Sequence, residues 1–204
     1  TVIVSDNGNP ALSDQAIVKV TVTGGNNPPT ISTISGQSTQ DGVALGPIAF
    51  TVNDPDNAAA TLSVTAASSN AALIALGGIT VTGAGADRTV RLQPSPGTSG
   101  ETTITLEVKD PAGASATVIF VVTVAAVAPG ITRNPVGQTV VAGAGVVLTV
   151  GATGTAPLNY QWLRNGVAVG TGATLNLPSV VPGDAGSYVV RVSNSAGTVD
   201  SQLA

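Results

Sequence analysis

Gly24-Gly25-Asn26-Asn27-Pro28-Pro29-Thr30 divides the chain. Strand-like runs flank it, Ile17 to Thr23 before and Ile31 to Ile34 after. Glycines release the backbone, and the proline pair then fixes φ and forces an extended re-entry. The stretch therefore reads as a joint between two β-domains. A second joint, Ala125-Ala126-Val127-Ala128-Pro129-Gly130, follows about a hundred residues on, the length of one β-sandwich.

Composition supports an all-β chain. The 204 residues are 43% apolar, but only 2% are aromatic, and 25 Gly and 13 Pro supply turns. No stretch sustains a helical period, and no apolar run approaches the roughly 18 residues of a membrane helix. The longest candidate, Val118 to Pro129, is interrupted by Thr123. Net charge is −4, and the seven basic residues are scattered, so no stripe exists to neutralise nucleic-acid phosphates. Without Cys there is no disulfide framework and no thiolate metal site. The lack of Met and the opening inside a strand lead us to expect a piece of a longer protein, with any signal peptide or anchor elsewhere.

Residues 1–25 read as the last two strands of a domain. Thr1 to Ser5 forms one strand, Asp6 to Pro10 a turn cluster, and Ala16 to Thr23 the other. In the latter, Val18, Val20 and Val22 alternate with Lys19, Thr21 and Thr23. The run Val4-Ser5-Asp6-Asn7-Gly8-Asn9-Pro10, then Val18 to Thr23, then Asn26-Asn27-Pro28-Pro29, is similar to the end of a cadherin-type repeat in its bacterial form.

Residues 26–126 supply a complete sandwich. Strands are predicted near Ile31–Ile34, Pro47–Val52, Thr61–Ala66, Ile79–Thr82, Arg88–Leu92, Thr102–Val108 and Ala114–Val124. Turns such as Asp54-Pro55-Asp56-Asn57 and Asp110-Pro111-Ala112-Gly113 separate them. Ser69 to Gly77 could hold a helical turn. Val118 to Val122 is apolar on both faces, which predicts a strand that is central or covered on both sides. This segment resembles the cadherin-like and immunoglobulin-like repeats of large bacterial surface proteins.

Residues 127–204 form a different module. Gly145 to Val150, Tyr160-Gln161-Trp162, Asn165-Gly166 and Asp184-Ala185-Gly186-Ser187-Tyr188 follow in the order of a bacterial immunoglobulin-like domain of the I-set kind, which they resemble. That resemblance makes Trp162 the core tryptophan of the third strand and Tyr188 a tyrosine corner, shaped by Asp184 and Gly186. Asn165-Gly166 suits a type I′ hairpin. The family's disulfide positions fall at Val150 and Val190. The final strand, Thr198 to Leu203, reads as truncated. The fold class is thus all-β, tandem Greek-key immunoglobulin-like β-sandwiches.

Catalysis is not expected. With no His and no Cys, the usual triads and the commonest base are missing. Five residues, Trp162, Tyr160, Tyr188, Phe50 and Phe120, are all the aromatics, and the first three read as core rather than as a sugar platform.

A metal site is the one candidate chemistry. Asp54, Asp56 and Asp110 lie in loops at the pole facing the preceding domain, where Asn26 and Asn27 also fall. By resemblance, the Asp-x-Asp pair and the Asp before the last strand are calcium ligands of cadherin repeats. Three carboxylates and two amide oxygens suit Ca²⁺. Asp6 is the counterpart of Asp110 in the first fragment. The linker departs from the family pattern: Thr23 and Asn26 stand where it has aspartates, and Gly25 replaces an Asn. The competing reading is that Asp and Asn only cap turns. Asp41-Gly42, where cadherins carry a Glu facing the next domain, reads as a plain turn. The second joint has no acids and is expected to be metal-free.

These readings converge on a non-enzymatic spacer or adhesion segment of a bacterial secreted or cell-surface protein, its modules strung end to end and stiffened by Ca²⁺ at the first joint. Two alternatives stand beside it: an accessory module of an extracellular enzyme, and an adhesin module that binds a protein directly. The expected partners are neighbouring domains of the same chain and an extracellular protein or surface, with no nucleic acid and no membrane span in these residues.

Overall fold

The computed structural model describes residues 1–20 and 24–204. The predicted alternation at Thr21, Val22 and Thr23, and the linker comparison at Thr23, lie outside the described residues. At the start of the chain, β1 (Val2–Ser5) pairs antiparallel with β2 (Ser13–Ala16), Val2 opposite Ala16. The second strand was expected from Ala16 onward; it lies earlier, and Ile17 to Val20 are not strand. Every residue of both strands is exposed, so no core selects one register over another.

The next eight strands build one sandwich: β3 (Thr30–Ile31), β4 (Gln37–Gln40), β5 (Leu45–Asn53), β6 (Ser63–Ser68), β7 (Ile79–Thr82), β8 (Asp87–Leu92), β9 (Gly100–Lys109) and β10 (Ser115–Ala125). They form two four-stranded sheets, β4-β10-β9-β6 and β3-β5-β8-β7. Alternation decides what lies between them. On β9, Thr102, Ile104, Leu106 and Val108 are buried; on β10, Val118, Phe120, Val122 and Val124 are. Phe50, Val52, Val90 and Leu92 answer from the other sheet. Full burial of each such Val, Leu, Ile or Phe side chain favours the fold by about 1.5–3 kcal/mol.

One strand departs from expectation. β4 was not foreseen, because Gln37-Ser38-Thr39-Gln40 carries no apolar residue; it is placed by parallel pairing with β10, Val122 opposite Gln37. β10 is central in its sheet, as its apolar run required, but its outer face is uncovered: Ile119 is 60% and Val121 45% exposed. Between β6 and β7, Leu73 and Ile74 donate backbone N–H groups to the Asn70 carbonyl, a helical turn that buries both side chains.

The remaining eight strands are β11 (Gly130–Arg133), β12 (Val146–Thr149), β13 (Gly151–Thr153), β14 (Asn159–Arg164), β15 (Val167–Thr171), β16 (Thr174–Leu177), β17 (Tyr188–Asn194) and β18 (Gly197–Asp200). One sheet has the order β15-β14-β17-β18; β12-β16 and β11-β13 pair across from it. Trp162 is wholly buried, faces Val190 across β14 and β17, and donates its indole N–H to the Gly172 carbonyl at 2.9 Å. Val150 and Val190 both lie in this core, and Tyr160 packs against it half-buried. Asn165 (φ 49°) and Gly166 (φ 83°) take the left-handed pair that a type I′ hairpin needs. The last strand begins at Gly197 and ends at Asp200, earlier than predicted, yet Ala204 still exchanges backbone hydrogen bonds with Tyr188.

Candidate functional site

The first joint meets the first sandwich at the pole formed by the loops after β5 and β9. Asp54 closes the β5 loop on itself: its Oδ1 accepts from the N–H groups of Asp56 and Asn57, both at 2.8 Å, and from the Asn57 amide at 3.1 Å. Asp110 does the same for its loop, with Oδ1 accepting from the Ala114 N–H at 2.9 Å. Both side chains cap turns, as their residue types favour.

The linker docks onto these loops. Asn26 donates its amide to Asp110 Oδ2 at 2.7 Å. Asn27 donates its backbone N–H to Asp56 Oδ2 at 2.6 Å and its amide to the same oxygen at 2.9 Å. Asn26 and Asn27 thus each grip one carboxylate through neutral N–H donors. The Asn26 bond holds the Asp110 carboxyl below its ordinary pKa, against the opposing effect of burial; N–H groups of Ala114, Gly113 and Ala112 add to the lowering. Asp6 repeats the pattern in the opening hairpin, where the N–H groups of Leu12 and Gly8 lower its pKa.

One oxygen at this pole finds no donor among the described residues. Asp54 is 7% exposed, and its Oδ2 is buried with no hydrogen-bond partner among them. A buried carboxylate oxygen without a donor is costly, so it is a fit for a hard cation. The rest of the arrangement fits less directly. Asn26 and Asn27 turn N–H groups toward the carboxylates, where a cation takes oxygen; an amide rotated about its last torsion offers that oxygen instead. Among the described residues, no group of three or more Asp, Glu, His or Cys side chains converges closely enough to hold a metal ion as it stands.

The second joint, Ala125 to Gly130, carries no acid of its own, but one reaches it from elsewhere in the chain. Asp41 is in a turn, as its Asp-Gly pair implies, and its carboxylate crosses to the second sandwich. Its Oδ2 accepts from the Thr155 hydroxyl at 2.6 Å, and its Oδ1 from the Gly97 N–H at 2.7 Å. The partners are 114 positions apart, beyond any local motif.

Two family descriptions match the chain. Residues 26–123 match a bacterial Ig domain, and residues 128–194 an immunoglobulin domain. The chain is a tandem of immunoglobulin-like β-sandwiches. Solved structures similar to it include the titin domains Z1Z2 in complex with telethonin, 18% identical over 87% of this chain and 94% of that one, with a TM-score of 0.44. Tandem Ig repeats of Dlar are 19% identical over 86% and 95%, at 0.36. A Dscam structure concerned with isoform specificity is 18% identical over 86% and 45%, at 0.48. A search of curated proteins found no match.

Proposed function

We propose that the chain is a non-enzymatic spacer and adhesion segment of a bacterial secreted or cell-surface protein. Residues 26–126 and 127–204 serve as two modules strung end to end, and residues 1–25 as the close of a preceding one. Folded sandwiches supply reach; the joints set stiffness. The observation that carries this reading is the docking of the linker on the loops at one pole of the first sandwich, with Asn26 on Asp110 and Asn27 on Asp56. A flexible tether would leave those donors to water.

The first joint is further proposed to take Ca²⁺, which Asp54, Asp56 and Asp110 would hold with the amide oxygens of Asn26 and Asn27. The buried, unpartnered Oδ2 of Asp54 supports it. Bound there, the cation would supply positive charge to carboxylates that now depend on amide donors. Extracellular sites bind as weakly as about 10⁻³ M, so the test is thermal unfolding with calcium titrated well into the millimolar range and with chelator. At tenfold over Kd the first sandwich gains about 1.4 kcal/mol. Asp54→Ala and Asp110→Ala abolish the gain. An unchanged unfolding temperature in the parent chain sinks the calcium proposal.

A second reading, direct binding of an extracellular protein, is favoured by Ile119 and Val121 on the open face of β10. Ile119→Lys would then abolish binding of the partner without moving the unfolding temperature.

A further inference from the structure

We infer that Asp41 and Thr155 form a metal-free latch that fixes the second joint, so that the two sandwiches turn as one body. This goes beyond the calcium reading of the first joint and does not depend on it.

Both ends of the latch are anchored before they meet. Asp41 sits in the turn after β4, and its N–H is bonded to the carbonyl of Ala125, the last residue of β10, at 3.0 Å. The turn is thereby stitched to the strand by which the chain leaves the first sandwich. Its Oδ1 is held by Gly97, which leaves Oδ2 aimed at Thr155. A hydrogen bond to an ionised carboxylate is roughly twice as strong as one between neutral groups.

Thr155 is wholly buried. Its single hydroxyl proton goes to Asp41, and the same oxygen accepts the Val127 N–H at 2.8 Å. The Thr155 N–H in turn donates to the Val127 carbonyl at 3.0 Å. That carbonyl also accepts from the Asn194 amide at 2.8 Å, and the Thr155 carbonyl accepts from the same amide at 2.9 Å. Both backbone groups of Val127 are therefore claimed by the second sandwich.

The linker also lies too close for freedom. It spans only the residues between Ala125, which ends β10, and Gly130, which begins β11. Gly154 has φ +137°, and a Cβ there would stand 3.0 Å from the Pro129 Cα. A joint with its backbone bonded and its flank packed has one soft element left, the relation of the first sandwich to this assembly. Asp41 spans that gap.

The test is measurement of residual dipolar couplings on the whole chain, fitted separately for the two sandwiches. The parent chain should fit one alignment tensor, with calcium or with chelator. Thr155→Val, which removes the hydroxyl at nearly constant volume, should give two tensors, as should Asp41→Ala. Thr155→Ser, which keeps the hydroxyl, should restore one. Chemical shifts at Val90 and Val190 report whether each core is intact. If Thr155→Val unfolds its sandwich, Asp41→Ala, in the other sandwich, decides the matter. Two tensors in the parent chain, one tensor in Asp41→Ala, or loss of the single tensor on adding chelator would overturn the inference. The last outcome would place a cation at this joint, separately from any result at the first.

Discussion

The hydroxyl of Tyr188 donates to the carbonyl oxygen of Asp184 at 2.7 Å. The ring belongs to the second core, while the carbonyl belongs to a short 3₁₀ turn, Pro182–Asp184. The Asp184 carboxylate meanwhile accepts from the Val181 N–H at 3.0 Å and pairs with Arg164 at 2.8 Å. The turn is thus held by its main chain and its side chain to different strands.

Tyr188→Phe keeps the ring and removes only the donor. We expect a loss of about 0.5–1.5 kcal/mol from the second sandwich. Urea unfolding followed by the fluorescence of Trp162 reads it, and an unchanged midpoint would contradict the corner's contribution.

Trp162→Ala is a harsher change. A buried Trp truncated to Ala costs about 3–5 kcal/mol, comparable with the whole stability of a small domain. The second sandwich should unfold at or near room temperature. The first should keep its own transition, because the two cores share no residue. Differential scanning calorimetry would show one lost peak rather than two.

Gly166→Ala places a Cβ at φ 83° and should cost about 1–2 kcal/mol. Gly85 offers the control: open space surrounds it and its φ lies outside the left-handed range, so Gly85→Ala should stay within about 0.5 kcal/mol. Equal losses at both sites would refute the backbone argument.

Acid should weaken the first sandwich through Asp110. Its carboxyl has a lowered pKa when folded, so the folded state holds its proton less tightly than the unfolded chain. The stabilisation is fully present above the unfolded value near pH 4 and is lost as pH falls through the lower, folded value. Asn26→Ala removes the first cause of the lowering and should move the Asp110 titration upward, read by carboxyl NMR. Asp110→Asn should flatten the acid limb of stability against pH.

Short-range chemistry was legible in the sequence and long-range chemistry was not. Asn165-Gly166 and Tyr188 act within a few residues of their own turn, and Trp162 and Tyr188 stand in the motif order by which the segment resembles an immunoglobulin-like domain. Strands with one buried face, such as β9, were readable because burial enforces a period of two. β4 was not, since its polar residues are placed by pairing rather than by burial. The opening hairpin was misplaced for a related reason: with both faces exposed, nothing ties its alternation to one register. At the first pole, residue types pointed to Asp54, Asp56, Asp110, Asn26 and Asn27, which do neighbour one another by hydrogen bonds. Which oxygen would be left without a donor was beyond any pattern. Thr155 had no signal, and Asp41 had only its place where cadherin repeats carry a Glu facing the next domain, which its residue type did not separate from an ordinary turn.

Val150 and Val190, packed in the second core where related domains carry a disulfide, bear on what happens under tension. A covalent bridge there would withhold the roughly 40 intervening residues when the module is pulled open. Two valines withhold nothing. At about 3.3–3.6 Å per extended residue, some 140 Å of additional chain becomes available to a stretched molecule. In the proposed stalk, the module would therefore yield its full contour length under load, whatever the redox state of its surroundings.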